Sequence, residues 1–545
     1  MKTILGLILL VVLPCVAQDT ITKSDIQSAE KMFGLQFNDA KRDSMLGDLQ
    51  GQKQSYENLR KVDLPNSVVP SILFNPIPVG MHLPKGKNIF AFEPPKRVPL
   101  PKNLDDLAFY SVAQLGSLIK SKKITSTQLT KLYLERLKKY GPILHCVITL
   151  TDSLALAQAA RADKEIAAGK YRGPLHGIPY GAKDLLSTKK YPTTWGSVPF
   201  KGQVIDEDAT VVKKLEQAGA VLVAKLTMGE LAWGDVWFGG KTRSPWDTSQ
   251  GSSGSSAGSA SATAAGLVAF AIGSETYGSI VSPSTRCGTT GLRPTYGRVS
   301  RAGAMALSWT MDKLGPICRS AEDCALVFNA IHGVDGIDQT VCDVPFKYEP
   351  KKIDLKKLRI GYVQTDFDSA KFWKSFNDST LQVLRHLGAS LIPIELPNYP
   401  VDDIVIMLSA ESAAAFDDVT RSGKDDMMVR QIKNAWPNSF RASRFIPAVE
   451  YIQASRVRTK LIREMARLMD TIDIYVNPSL EGNSLLLTNL TGHPSVTVPN
   501  GFTEKGTPVS ITFTGKLFDE GTVLAVAKNY QEATGYHLKH PKLDY

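Results

Sequence analysis

At 545 residues the chain is long enough for one large domain or several average ones. Its composition, 43% hydrophobic and 21% charged, excludes a disordered chain and calls for a large buried core. The formal net charge of +11 is scattered, with no run of five or more basic residues, so no nucleic-acid-binding arm is expected.

At the N-terminus Lys2 precedes an apolar run from Ile4 to Leu13, then Pro14 and Cys15-Val16-Ala17, the layout of a secretory signal with cleavage after Ala17. The run is half the roughly 20 residues a spanning helix needs, and no other stretch reaches that length, so no integral membrane span is expected. Export to the periplasm or medium is the expectation; lipid attachment at Cys15 is disfavoured by the rigid Pro14 before it. The expected mature chain keeps Cys146, Cys287, Cys318, Cys324 and Cys342, an odd set without a Cys-x-x-Cys pair. That set is neither a disulfide framework nor a metal-ligand pattern, and buried thiols are expected.

Residues 18–103 read as an N-terminal extension laid over a main body. The first part is polar and helical, and the stretch from Pro65 to Pro101 is too rich in proline for a long helix. From residue 104 to 545 helical and strand signals alternate, which predicts an α/β fold. Thr125 and Gln128 form a capping box ahead of Leu129, Leu132, Tyr133 and Leu137 at helical spacing. Short β-rich runs follow at Cys146–Leu150, Val221–Ala224, Leu358–Val363 and Ser495–Val498, each near a helical pattern, as a sheet covered by helices requires.

Three segments carry the chemistry: Pro174-Leu175-His176-Gly177-Ile178-Pro179-Tyr180-Gly181-Ala182-Lys183-Asp184, Gly254-Ser255-Ser256-Ala257-Gly258-Ser259, and Gly273-Ser274-Glu275-Thr276-Tyr277-Gly278-Ser279-Ile280. Each alone has an ordinary reading, a solvated strand end or a flexible Gly/Ser linker. In this order, and followed by Cys287-Gly288 and Gly291-Leu292-Arg293-Pro294, they resemble the amidase signature family. The resemblance runs from about Asp105 to Glu532 and implies a large mixed β-sheet with helices on both faces. It also implies hydrolysis of a carboxylic amide through an acyl-serine.

The resemblance assigns Ser279 as nucleophile, Ser255 as relay after a cis Gly254–Ser255 bond, and Lys183 as general base, with Ser256 orienting the lysine. The backbone N–H groups of Thr276, Tyr277, Gly278 and Ser279 are the implied oxyanion donors. A lysine is a base only when neutral, so Lys183 should be desolvated, bonded to Ser255 and through it in contact with Ser279. No metal and no organic cofactor are implied. The expected partner is a small-molecule amide, and a monomer and a homodimer both stay open.

Tyr277, Glu275, Val281 and Ala257 depart from the commonest family pattern, which puts substrate preference in doubt. If residue 277 needs a positive φ its side chain is strained; if not, its ring narrows the acyl pocket. Trp233, Trp237, Phe238 and Trp246 are candidates to line an apolar pocket and equally candidates for core. Three other readings compete: a Gly-x-Ser-x-Gly elbow with Ser256 attacking and a histidine such as His493 assisting, a glutamine-dependent amidotransferase of the A-subunit type, and a non-catalytic binder on the same scaffold.

Overall fold

The computed structural model describes residues 20–544; the signal peptide expected over residues 1–17 lies outside them. The chain divides between Pro65 and Asn66 into two units. In the first, helices α1 (Lys23–Phe33) and α2 (Asp39–Leu59) are joined by a 2.9 Å ion pair between Arg42 and Glu30. Thr22 and Asp25 form a capping box at the start of α1, and Asn38 accepts from Lys41 N–H at the start of α2.

The second unit holds the proline-rich segment and everything after it. No helix forms between Pro65 and Pro101, where the missing proline N–H groups and fixed φ oppose one. Ile89–Phe90 instead pairs in parallel with Lys347–Tyr348. The predicted capping box holds: Thr125 and Gln128 bond reciprocally at 3.0 Å and open helix α3 (Ser126–Leu144), which buries Leu129, Tyr133 and Leu137.

One sheet of eleven strands carries the fold. In chain order these are β1 (Val147–Leu150), β2 (Pro179–Lys183), β3 (Val221–Leu226), β4 (Phe270–Glu275), β5 (Thr290–Arg293), β6 (Lys313–Cys318), β7 (Ile360–Val363), β8 (Leu391–Ile394), β9 (Ile474–Pro478), β10 (Ser495–Phe502) and β11 (Pro508–Gly515). Their spatial order is β8-β7-β9-β11-β10-β5-β6-β4-β2-β3-β1. β2 runs parallel to β3 and β4, whereas β6 is antiparallel to β4 and β5, so the sheet is mixed. Successive strand side chains point to opposite faces, yet every residue of β2, β3, β4 and β6 is buried. The central sheet is therefore covered on both faces.

The five described cysteines are free thiols; four are buried and Cys342 is partly exposed. No helix among the described residues is long and apolar enough to cross a membrane.

Candidate active site

The Lys-Asp pair that composition alone would place in water is wholly buried. β2 lies between its two parallel neighbours and ends at Lys183, while Asp184 turns to Lys225, 2.9 Å away. Lys183 Nζ meets three hydroxyls: Ser255 at 2.8 Å, Ser256 at 3.1 Å and Ser274 at 2.8 Å. Burial pushes the ammonium down to about 7, against the carboxylates of Asp312 and Glu275, which pull it up.

The three hydroxyls are not equivalent. Ser256 donates its proton to the Ser274 carbonyl at 3.0 Å and accepts from Ser274 N–H at 3.1 Å, so toward Lys183 it acts only as an acceptor. An ammonium can donate to all three oxygens, but a neutral amine has two N–H bonds and one lone pair, so one hydroxyl must then donate to nitrogen. Ser255 and Ser274 have that proton available. Ser256 therefore lies within hydrogen-bond reach of the lysine, and Ser274 is a partner that sequence reasoning missed; its place beside Lys183 follows from the β2–β4 pairing, for which the sequence carries no local signal.

The Gly254–Ser255 peptide bond is cis. A Cβ at residue 254 would sit 1.8 Å from the Gly234 carbonyl oxygen, which is why glycine is needed there. The helix that follows, α4 (Ala257–Ala264), consists of small residues that are all buried, and a Cβ at Gly258 would lie 2.4 Å from the Cys146 carbonyl. Small side chains thus let the serine cluster approach the sheet.

Residues 276–280 link β4 to helix α5 (Val281–Cys287). Glu275 ties this turn together: one carboxylate oxygen accepts from the N–H groups of Ile280 (2.8 Å) and Val281 (3.0 Å), the other from Arg293 and Asn489, both at 2.8 Å. Burial opposes its charge, but Arg293 and these donors hold the carboxyl down at about 2. Gly278 has φ +83°, a left-handed conformation that favours glycine. Among the described residues no acceptor meets the N–H groups of Tyr277, Gly278 or Ser279, leaving them available to an incoming oxyanion. Thr276 Oγ1 donates to Asp312 at 2.5 Å, and Asp312 also accepts from the N–H groups of Leu307 and Ser308.

Tyr277 is absent from the positive-φ residues, so it stores no backbone strain there, and the residue is 44% exposed. One expectation needs correction. The Ser255–Ser279 contact is not a hydrogen bond among the described residues; the Ser279 carbonyl instead accepts from Ser256 N–H at 3.2 Å. Unliganded sites commonly leave such bonds to form with substrate.

Trp233 packs on Trp436, Trp237 on Phe238, and Trp246 donates to the Cys287 carbonyl while its ring meets Phe502. They serve packing and do not line the cavity. That cavity, about 530 Å³, reaches Ser274 and Thr276 and is lined on its apolar side by residues such as Leu185, Met305, Trp309 and Leu314. Among the described residues no histidine bonds Ser256; His493 is buried against Thr491, pushed down to about 3 by burial and by Arg293. Among the described residues no cluster of three or more His, Cys, Asp or Glu side chains could hold a metal ion.

The sequence profile of the family described as Amidase matches residues 128–487. The A subunit of the glutamyl-tRNA(Gln) amidotransferase of Carboxydothermus hydrogenoformans is 33% identical over 488 residues, spanning 80% of this chain and all of the relative. The native peptide amidase of Stenotrophomonas maltophilia superposes with a TM-score of 0.71 at 30% identity, over 80% of this chain and 99% of that one. An amidase family protein from Bacillus anthracis gives 0.73 at 27% identity, over 81% of this chain and 94% of its own. Since the matched span runs through every segment that builds the lysine–serine cluster, and the relatives are covered nearly end to end, the chain belongs to the amidase signature family.

Proposed function

We propose that this protein hydrolyses carboxylic amides, and esters in the same way, through an acyl-Ser279 intermediate. The observation that carries the reading is the desolvated Lys183 amine held 2.8 Å from the Ser255 hydroxyl, with its ammonium pushed down to about 7. At neutral pH about half of such lysines are neutral, against fewer than about one in a thousand for an exposed one.

In the proposed sequence neutral Lys183 takes the Ser255 proton while Ser255 takes that of Ser279. Ser279 Oγ bonds to the carbonyl carbon, and the oxygen's negative charge is met by the N–H groups of the 276–279 turn. The C–N bond then breaks as the relay returns its proton to the leaving amine. Water, deprotonated by the same relay, adds to the acyl-serine and releases the acid. A neutral lysine in this role supplies the proton transfers for which a histidine otherwise serves.

The sequence relatives support a second reading of the same chemistry, in which the amide is that of glutamine and the chain works as the A subunit of an amidotransferase. Export after cleavage near Ala17 would exclude that role, since transfer RNA charging is intracellular; N-terminal sequencing of the protein secreted by its host tests it. The shared chemistry is tested by a fluorophosphonate probe, which should label the protein and fail to label Ser279→Ala. Labelling that persists in this variant would overturn the assignment. A panel of glutamine, peptide C-terminal amides, aliphatic amides and anilides separates the substrates.

A further inference from the structure

The proline-rich segment supplies six lining residues of the cavity: Asn66, Ser67, Val69, Pro70, Ser71 and Leu73. Ser274 and Thr276 line the same cavity, so it is continuous with the Lys183 cluster and the candidate oxyanion turn. The segment is anchored at both ends. The Asn66 amide donates to the Ala306 carbonyl at 2.9 Å and accepts from Ala306 N–H at 2.7 Å. The Phe74 ring lies 3.6 Å from the Arg458 guanidinium and edge-on to Tyr296 at 5.0 Å. Arg458 is itself buried, with donors spent on Leu490 and Thr310.

Between these anchors Val69 is 51% exposed and Leu73 42% exposed. A segment fixed this firmly with branched apolar side chains facing open space is arranged to be covered by a ligand. The remaining wall sets the ligand's polarity. Its one guanidinium, Arg301, donates through each of its three nitrogens, to Asp338, the Trp309 carbonyl and Thr340. Of the other charged wall residues, the three carboxylates of Glu207, Asp208 and Asp312 outnumber the single ammonium of Lys213. The acidic excess of this wall disfavours a substrate carboxylate, and the volume lies in the range of sites that enclose a whole small molecule.

We infer that Val69, Pro70 and Leu73 form a specificity-determining wall, and that the preferred amide carries an uncharged apolar group of aryl or medium-alkyl size beside the scissile bond. This rests on the amide-hydrolase reading and names the substrate class of that site.

The test uses the full chain, with Leu73→Trp and Val69→Trp, both at exposed positions. Turnover of acetyl and hexanoyl p-nitroanilides and calorimetric binding of acetamide, hexanamide and benzamide are measured side by side. The native protein should prefer hexanoyl over acetyl at least tenfold in kcat/KM, and each variant should lower that ratio at least tenfold through KM. Equal ratios in native and variant proteins, or a preference for acetyl, overturn the wall. Binding of hexanamide that is lost in the variants, without any turnover by the native protein, keeps the wall and sinks the hydrolase reading. Failure of the native protein to bind hexanamide or benzamide sinks the wall alone if acetyl p-nitroanilide is still cleaved.

Discussion

Replacing Lys183 by methionine tests the central electrostatic claim without relying on catalysis. Burial lowers the folded-state value of this lysine to about 7 from an ordinary 10.5. Between these two values the unfolded chain holds a proton that the folded protein does not, so folding stability rises with pH through that window and the contribution is complete only above 10.5. Integrated from pH 7 to pH 9, native protein should gain about 2 kcal/mol of unfolding free energy relative to Lys183→Met, because the slope approaches about 1.4 kcal/mol per pH unit for one proton. The methionine side chain fills a similar volume and does not titrate. Paired guanidinium unfolding curves at pH 7 and pH 9 read the difference directly, since other ionisations cancel between the two proteins. Parallel profiles for native and variant protein would mean that Lys183 keeps its ordinary ionisation when folded, and the base assignment would fall with it.

Three further outcomes follow from the same geometry. The rate of fluorophosphonate labelling should rise with pH and level off above an inflection near 7, falling to about one hundredth of its plateau at pH 5 because only that share of a group with such a value is neutral; an inflection near 4, or none between 5 and 8, would contradict it. Glu275→Gln should leave Arg293 buried without its counter-charge and loosen the turn, costing about 3 kcal/mol or more of stability by the penalty for an unpaired buried charge, and kcat should fall more than KM rises; an unchanged melting temperature would refute that account. Gly254→Ala should abolish folding or labelling, because its Cβ would lie 1.8 Å from the Gly234 carbonyl oxygen; a well-folded variant labelled at the native rate would show that the backbone gives way there.

Much of the architecture was legible along the chain because its causes are local. The Thr125–Gln128 capping box opens a helix through bonds spanning three residues, and the β-branched runs at Val221 and Ser495 become strands. The lysine and the two serine clusters could be picked out because their glycine-rich spacing resembles a known family, whereas the need for glycine at 254 comes from its close approach to the Gly234 carbonyl. The aromatic residues between Trp233 and Trp246 were open to a pocket or a core reading and pack as core, since ring content says that a residue will be covered but not by what.

What tertiary structure alone decided is everything that joins residues far apart in sequence. Ser274 reaches Lys183 across 91 positions by strand pairing, and Asn66 reaches Ala306 across 240 by a side-chain amide copying a backbone partner. The depressed ionisation of Lys183 likewise belongs to no motif: it arises because neighbouring strands and a helix of small residues exclude water from that one amine. Short-range hydrogen bonding and side-chain shape specify which element forms at each stretch of chain, whereas desolvation, cavity volume and the identity of a wall depend on which elements meet, and no window of sequence contains both sides of such a contact.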